Sequence, residues 1–128
     1  MLLEDCQVTA NIPAGDLARA RKFYADTLGL EPVEENPGGL VYRTGGTDFF
    51  LYETQYAGQA GHTIAQLHVA DVRPVVEELK NRGVTFEQYD LPGITWDGDV
   101  AAMGDMGHAA WFKDSEDNIL CLDDRRTD

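Results

Sequence analysis

The sequence predicts an α+β protein in which two βαβββ modules form a curved mixed sheet around a groove. An extended segment leads into an amphipathic helix twice along the chain, strand-like segments follow each helix, and small residues separate the halves. Of the 128 residues, 43% are hydrophobic and 26% charged, which is ordinary for a globular protein. We therefore predict a single domain over 1–128, with one module at about 1–57 and the other at about 62–128.

Each module is predicted to carry one helix that begins at an aspartate and ends at a glycine. Asp16 and Asp71 suit the N-cap position, and Gly29 and Gly83 suit the C′ position. Apolar residues recur between them at helical spacing. They are Leu17, Ala20, Phe23, Tyr24 and Leu28 in the first helix and Val72, Val75, Val76 and Leu79 in the second. The matching caps support the repeat.

The strands are predicted from extended apolar or alternating segments between turn signals. They lie at 6–12, 31–35, 39–44 and 49–54 in the first module, and at 63–69, 85–90, 108–113 and 119–123 in the second. Gly45-Gly46 and the segment 114–118 are predicted hairpin turns. The segment 91–107 is predicted to be a long irregular loop that can cover a site.

Alternation along each strand separates a face that covers the helix from an opposite face. The helix face is aliphatic: Val8, Ala10, Ile12, Phe49, Leu51, Ala65, Leu67, Val69, Leu120 and Leu122. The opposite face is mixed: Gln7, Thr9, Asn11, Phe50, Tyr52, Ile64, Gln66, His68, Ile119, Cys121 and Asp123. An apolar and aromatic surface with a few polar groups is typical of a ligand groove.

Composition and charge limit the partners and the location of the protein. The net charge of −13 argues against nucleic acid binding and permits attraction of cationic small molecules. No apolar run is long enough to cross a membrane, and the N-terminus lacks the features of a signal peptide, so we expect a cytoplasmic protein. Cys6 and Cys121 have no metal-binding or redox spacing and are expected to be free thiols.

Several segments together resemble the vicinal oxygen chelate superfamily. The most specific are FYADTLGL at 23–30 and FKDSEDNIL at 112–120, and the resemblance continues at 12–16, 45–53 and 62–71. The superfamily includes glyoxalase I, extradiol dioxygenases, fosfomycin-modifying enzymes and bleomycin-resistance binding proteins. These segments are structural and do not distinguish its functions. The resemblance implies a homodimer with the groove between two chains, often with exchanged modules.

The resemblance also implies a metal site in the enzymes of the family, with two His, Glu or Gln ligands from each module. The matching positions here are Thr9, a residue within 50–52, Ile64 and Cys121. A divalent metal in such a site needs three or four converging oxygen or nitrogen ligands, which these residues do not supply. A register error of one residue would bring in Gln66 or Glu53 instead. We predict no metal and no other cofactor.

The predicted ligand-binding residues come from both modules and from the long loop. They are Thr9, Asn11, Phe50, Tyr52, Gln66, His68, Trp96, Met103, Trp111 and Cys121. His68 either hydrogen-bonds a ligand or acts as an acid or base, or it is a strand histidine satisfied by a neighbour. Trp96 and Trp111 either stack on a ligand or pack within the protein. Cys121 as a nucleophile would need His68 as its base.

Two functions from different classes fit this pattern. The first is non-catalytic binding and sequestration of a small aromatic or cationic natural product, as in bleomycin-resistance-like drug binding and antibiotic resistance. It involves no catalytic residue, and it is favoured because the positions of the family's metal site carry no suitable metal ligands. The alternative is a metal-dependent lyase or isomerase of the glyoxalase or dioxygenase type. A metal-free enzyme that uses His68 is a third hypothesis.

Overall fold

The first module contains a helix and a four-stranded sheet. The computed structural model of the chain describes residues 2–124. The elements of this module are β1 (Ala10–Ala14), α1 (Leu17–Asp26), β2 (Glu34–Asn36), β3 (Gly39–Thr44) and β4 (Thr47–Glu53). The strand order is β1-β4-β3-β2, with β1 parallel to β4 and the other pairs antiparallel.

The second module repeats this plan and adds a hairpin. Its elements are β5 (Thr63–His68), α2 (Val72–Asn81), β6 (Phe86–Glu87), β7 (Thr95–Asp97), β8 (Val100–Ala102), β9 (His108–Lys113) and β10 (Ile119–Asp123), with a 3₁₀ turn at Gly104–Met106. The strand order is β5-β10-β9-β8-β7, and β6 also pairs with β9. Because β5 runs parallel to β10 as β1 does to β4, the predicted two-module α+β arrangement is confirmed.

Both helices begin where the caps predict, and α2 also ends there, whereas α1 ends at Asp26 with Thr27 as its C-cap, so Gly29 lies two residues past that cap. The side chains of Asp16 and Asp71 each accept a hydrogen bond from a backbone N–H in the first turn, at 3.1 and 3.2 Å. Gly29 and Gly83 follow the helices with φ angles of 73° and 94°, which glycine adopts without a Cβ clash. Neither helix within residues 2–124 is long and apolar enough to cross a bilayer.

Burial confirms the predicted alternation of β4, whereas in β10 residues of both faces are buried. Phe49 and Leu51 are buried against α1, and Leu120 and Leu122 are buried in the core that α2 covers. The alternate residues of β4 lie half-buried on the other side. Each module therefore has its own core beneath its helix. The opposite face of each sheet, which we call its open face, points away from that helix.

The start of β1 differs from the prediction. The strand begins at Ala10 and not at residue 6, and Val8 is 89% exposed. The parallel register pairs Ala10 with Phe49, so residues before Ala10 lie beside the first residues of β4 and the Gly45-Gly46 turn. Only Asp48 and Thr47 of β4 remain before that turn, and the ladder with β1 stops short of them.

The segment 91–107 is more ordered than predicted. The strands β7 and β8 form a hairpin around Gly98, whose φ is 62°. Asp97-Gly98 is a hairpin signal, but each strand has only three residues and β8 is mostly alanine. Such short strands lack the alternation by which the other strands were recognised.

Ile64 is not on the open face where alternation places it. β10 pairs Ile119 with Thr63 and then Leu120 with Ala65, so Ile64 is an extra residue in β5. Ile64 and Ala65 both pack against the cores of the two modules. The bulge reverses the alternation at this point, and the prediction for Ile64 is wrong.

The acidic turn, residues 114–118, fastens the second module to the first. The carboxylate of Glu116 accepts hydrogen bonds from Arg19 Nε and Nη2, both at 2.8 Å, and from the N–H of Asp16 at 2.9 Å. Asn118 Nδ2 donates to the carbonyl of Pro13 at 2.8 Å. The turn therefore lies against the N-terminal end of α1, which favours negative charge.

Asp114 holds the acidic turn together from within. Its carboxylate accepts from the hydroxyl of Tyr24 at 2.7 Å, the N–H of Glu116 at 2.9 Å, and the N–H and side-chain amide of Asn118 at 3.0 and 2.9 Å. Burial raises the pKa of the Asp114 carboxyl, and the hydrogen bonds from Asn118 and Tyr24 oppose that rise. Asp114 is thus a buried acceptor for donors from both modules.

The Glu116 contacts predict an acid-dependent loss of stability. Its hydrogen bonds, above all the one from Arg19, hold the pKa of this carboxyl at about 2 against the desolvation that raises it. The folded state therefore gains stability that is present above the ordinary carboxyl pKa and is lost as pH falls from about 4.5 towards 2. Since Arg19 is 57% exposed and solvent screens the pair, we expect a loss of about 2 kcal/mol.

Urea unfolding of the wild type and Glu116→Gln across the acid range measures this contribution. The difference in their free energies of unfolding is expected to be largest near neutral pH and to shrink below about pH 4.5. Asp26→Ala is the matched control, because Asp26 forms an exposed ion pair with Lys22 on the same helix. A difference between wild type and Glu116→Gln that stays constant down to about pH 3 contradicts the prediction.

Candidate functional site

The open face of the second sheet carries two rows of paired residues. One row crosses all five strands of the main order: Trp96, Ala101, Ala109, Asp123 and His68. The neighbouring row is Trp111, Cys121 and Gln66. Residues paired across adjacent strands point to the same side, so these eight side chains share one surface. We call this surface the second-sheet trough.

The floor of the trough is made of small or buried residues, and its rims are larger. Ala101, Ala109, Cys121 and Asp123 are buried in the floor. Trp96 stands at one rim and His68 at the other, separated by four strand spacings, roughly 19 Å. The floor residues are 0 to 3% exposed, so neighbouring side chains cover most of the floor. A ligand can reach the trough along its sides, where Trp96 and Trp111 are half-buried and Gln66 and His68 are exposed.

Aromatic rings line one side of the trough. Trp96 and Trp111 have ring centroids 6.0 Å apart, and Tyr89 meets Trp111 edge-on at 5.8 Å. The two tryptophans are half-buried, so each ring packs on one side and remains partly open on the other. The tryptophans therefore pack in part within the protein, and stacking on a ligand stays a prediction. Tyr89 was missed by the sequence reasoning, since it lies in a segment predicted only as a strand.

His68 forms a close pair with a buried carboxylate. Its Nδ1 lies 2.8 Å from Oδ1 of Asp123, which is 3% exposed, whereas half of the His68 side chain is exposed. The histidine is therefore satisfied by a neighbour through one nitrogen and still borders open space. Asp123 was assigned to the open face by alternation, but nothing in the sequence indicates that it pairs with His68.

Cys121 lies in the floor with its thiol covered. Burial, with a smaller contribution from the charge of Asp123, raises the pKa of this thiol to about 11. The thiolate is the reactive form of cysteine, and at neutral pH this group is protonated. The His68 Nδ1 is engaged by Asp123 and not by the sulfur. The arrangement opposes the hypothesis of a Cys121 nucleophile. Cys6 and Cys121 are both free thiols, as predicted.

The predicted residues of the first module lie on a different sheet. Asn11 pairs with Phe50, and the rings of Phe50 and Tyr52 stack with centroids 6.4 Å apart. Thr9 is exposed and precedes β1. The predicted set is thus divided between two open faces. Met103 follows β8 beside the trough and is half-buried.

A cavity of about 610 Å³ lies between the two modules. It is bordered by β1, β5, α2 and the end of α1, and its walls are mostly aliphatic: Val8, Ile12, Leu28, Leu30, Leu67, Val69, Val75 and Leu79. Among the predicted ligand-binding residues, Gln66 and His68 border it. These two residues therefore lie where the trough meets the cavity.

The residues at the metal positions implied by the resemblance do not fit a divalent cation. Ile64 has no donor atom and packs in the cores, and the Cys121 thiol is buried and protonated at neutral pH. Within residues 2–124, no three His, Cys, Asp or Glu side chains come together as a metal-binding group. Three or four converging ligands are needed for such a site.

The chain belongs to the glyoxalase/bleomycin resistance protein/dioxygenase superfamily, whose family model matches residues 7–118. The fold agrees with solved structures. The bleomycin-binding protein complexed with bleomycin is 20% identical, with a TM-score of 0.69 over 94% of this chain and 98% of that one. TnmS3, an antibiotic binding protein from Streptomyces sp. CB03234, is 20% identical, with a TM-score of 0.64 over 95% and 98%.

Enzymes are found among the similar structures as well. Lactoylglutathione lyase from Agrobacterium tumefaciens is 16% identical, with a TM-score of 0.70 over 94% of this chain and 95% of that one. No curated protein sequence matches the chain. At these identities the likeness shows the fold, and binding proteins and enzymes share it. The residues of the site have to decide between the two classes.

Proposed function

We propose that this protein binds and sequesters a small aromatic natural product without catalysis, as a drug-binding protein that confers antibiotic resistance. The observation that carries the proposal is the second-sheet trough. The half-buried Trp96–Trp111 pair along one side offers aromatic surface on which a flat molecule can stack. Binding sites for small molecules are commonly apolar with a few polar groups, here His68 and Gln66.

Charge favours an aromatic ligand over one that is bound chiefly as a cation. Asp97 and Asp99, which lie in the β7–β8 hairpin, are paired with Arg73 and Lys80 of α2. These carboxylates are therefore already neutralised. The net charge of −13 still favours the approach of a cationic ligand by long-range attraction. A planar compound with a positive substituent would satisfy both conditions.

A homodimer is part of the proposal. The aromatic face of the first module, with Phe50 and Tyr52, lies on a different sheet from the trough. A second copy can bring its own first module against the trough and enclose the ligand. Leu2, Leu3 and Val8 are strongly exposed before β1, and exposed apolar side chains support such an association. The predicted cytoplasmic location remains a prediction.

Fluorescence titration tests the proposal. Bleomycin and a panel of planar polycyclic compounds are added while tryptophan emission is followed, since both tryptophans of the chain line the trough. We expect saturable quenching. Trp111→Ala is expected to weaken binding roughly tenfold or more, because an aromatic surface at the centre of a site contributes strongly, and Trp96 remains as the reporter.

Tyr56→Ala is the matched control, since Tyr56 is an exposed aromatic residue outside the trough, and it should leave the affinity unchanged. The proposal is overturned if no compound binds even at about millimolar concentration, because specific recognition is ordinarily tighter than that. The metal-dependent alternative is tested separately on protein purified without chelator. Stoichiometric nickel, zinc, iron or manganese would favour an enzyme of the glyoxalase or dioxygenase type.

A further inference from the structure

We infer that His68 is a hydrogen-bond acceptor in the trough, that Asp123 holds it in that state, and that the pair selects aromatic ligands carrying a hydroxyl donor. The inference rests on the proposed function, because it concerns the same surface. It adds the chemical class of the ligand and a positioning residue, Asp123.

The hydrogen bond between the two residues determines which nitrogen of the ring is available. An ionised carboxylate can only accept, so at 2.8 Å the Nδ1 of His68 carries the hydrogen that Asp123 receives. In the neutral ring the other nitrogen, Nε2, then has a lone pair and no hydrogen. A ligand can meet that lone pair only with a donor, such as a phenolic O–H.

Burial of the carboxylate makes the arrangement rigid. Asp123 lies in the floor of the trough with 3% of its surface exposed, and its backbone carbonyl accepts from the N–H of Val69 at 2.8 Å. The carboxylate is therefore placed by the β5–β10 ladder. His68 is half exposed above it, so the ring is supported from below and open to a ligand.

The second histidine–aspartate pair of the chain differs and provides a comparison. Asp124 accepts from the N–H of His108 at 2.6 Å and from the N–H of Val72 at 3.1 Å. Its oxygens lie 3.3 Å from Nδ1 of His108, which is longer than the His68 contact. This carboxylate is chiefly an acceptor for backbone N–H groups at the start of β9 and of α2.

His68 also borders the aliphatic cavity, and on the open face the aromatic side chains favour an aromatic ligand over a sugar or an aliphatic alcohol. In the neighbouring row, Gln66 pairs with Cys121, and Cys121 pairs with Trp111. Trp111 is therefore about two strand spacings, roughly 10 Å, from the β5 edge. A fused aromatic system can rest on the tryptophan side while its hydroxyl reaches Nε2. Hydroxylated polycyclic compounds have this shape.

The tautomer is tested by nitrogen-15 NMR of the imidazoles at about pH 8.5, well above the ordinary histidine pKa of about 6.5. We expect His68 to be mainly protonated at Nδ1. Asp123→Ala is expected to move it towards the Nε2-protonated form, whereas Asp124→Ala should leave the His68 signals in place. A merely structural role of Asp123 would not change the tautomer of His68.

The ligand preference is tested with 2-naphthol and its methyl ether, 2-methoxynaphthalene. These probes have the same ring system, but only the first donates a hydrogen bond. The wild type is expected to bind 2-naphthol roughly fivefold more tightly, as one net hydrogen bond provides. His68→Phe keeps a planar ring at an exposed position and should remove the preference while both probes still bind.

The outcomes separate this inference from the proposed function. The inference is overturned if His68 is mainly protonated at Nε2. It is also overturned if the wild type binds the polycyclic panel but binds the two probes equally. Either result leaves the proposed function standing. Failure to bind any aromatic compound overturns both. A preference for 2-naphthol that persists in His68→Phe also overturns the assignment of His68.

Discussion

Asp114→Ala is expected to destabilise the protein by about 3–5 kcal/mol, because it removes one acceptor from several buried donors. Asp114 accepts four hydrogen bonds, from Tyr24, Glu116 and Asn118. The Tyr24 hydroxyl is buried at the centre of the first core and would lose its partner. The free energy of unfolding from urea titration, followed by circular dichroism, measures the loss.

Asp114→Asn separates the hydrogen bonds from the charge. An amide oxygen can still accept from two N–H groups, but the amide nitrogen opposes the donor of Asn118, so an intermediate loss is expected. Asp26→Ala removes an acid from an exposed ion pair and should have little effect. A loss for Asp114→Ala no greater than that of Asp26→Ala would mean that the acidic turn does not hold the modules together.

Gly39→Ala is expected to lower the free energy of unfolding by about 3–4 kcal/mol, since the backbone at Gly39 leaves no space for a side chain. Gly39 has a φ of 153°, and a Cβ there would overlap the carbonyl oxygen of Leu51 in the paired strand β4. The same Cβ would meet the Phe50 ring at 3.0 Å. The substitution should therefore also disturb the aromatic face of the first module, which near-ultraviolet circular dichroism reports.

Gly45→Ala is the matched control in the adjacent hairpin. Gly45 also has a positive φ, 59°, but nothing lies within 4 Å of the position that a Cβ would occupy. The expected cost is about 1 kcal/mol, the penalty for a non-glycine residue in the left-handed conformation. Equal losses of unfolding free energy for Gly39→Ala and Gly45→Ala would show that the overlap with the Leu51 carbonyl contributes nothing.

The stabilising contacts and the proposed ligand site lie in different places. The acidic turn joins the β9–β10 connection to α1, whereas the trough occupies the open face of the second sheet. The side chains that the trough offers to a ligand, Trp96, Trp111 and His68, are half-buried or exposed and are not members of the two hydrophobic cores. Variants at these positions can therefore change binding while the fold persists.

Much of the fold could be predicted because local chemistry specifies it. The caps Asp16 and Asp71 determine where the helices begin, and Gly83 follows the C-cap of α2, whereas α1 ends two residues earlier than Gly29 predicts. Strand alternation correctly separated the buried face from the half-buried face in β4, whereas in β10 both faces are buried. It failed at Ile64, because a bulge depends on the register of the partner strand and leaves no mark in the residues themselves.

The candidate site could be predicted only in part, for a similar reason. Alternation placed Gln66, His68 and Cys121 on one surface, and the structure pairs Cys121 with Gln66 and with Trp111. The alanines of the floor carry no chemical signal in the sequence. Ala101 belongs to a hairpin that was predicted as a loop, and it becomes part of the site only through its pairing with Ala109.

By itself, the sequence determined the two-module plan, the helix starts, most of the strand faces and the membership in a superfamily of binding proteins and enzymes. The two-module plan, the helix starts and the strand faces follow from periodicity and turn chemistry, which act over a few residues, whereas the superfamily was indicated by the resemblance of segments such as 23–30 and 112–120. Only the tertiary structure decided that Trp96 and His68 border one trough, that Phe50 and Tyr52 lie on another sheet, and that Asp123 orients His68. Those relations join strands far apart in the chain, and they are set by ladder register and packing, which no local segment encodes.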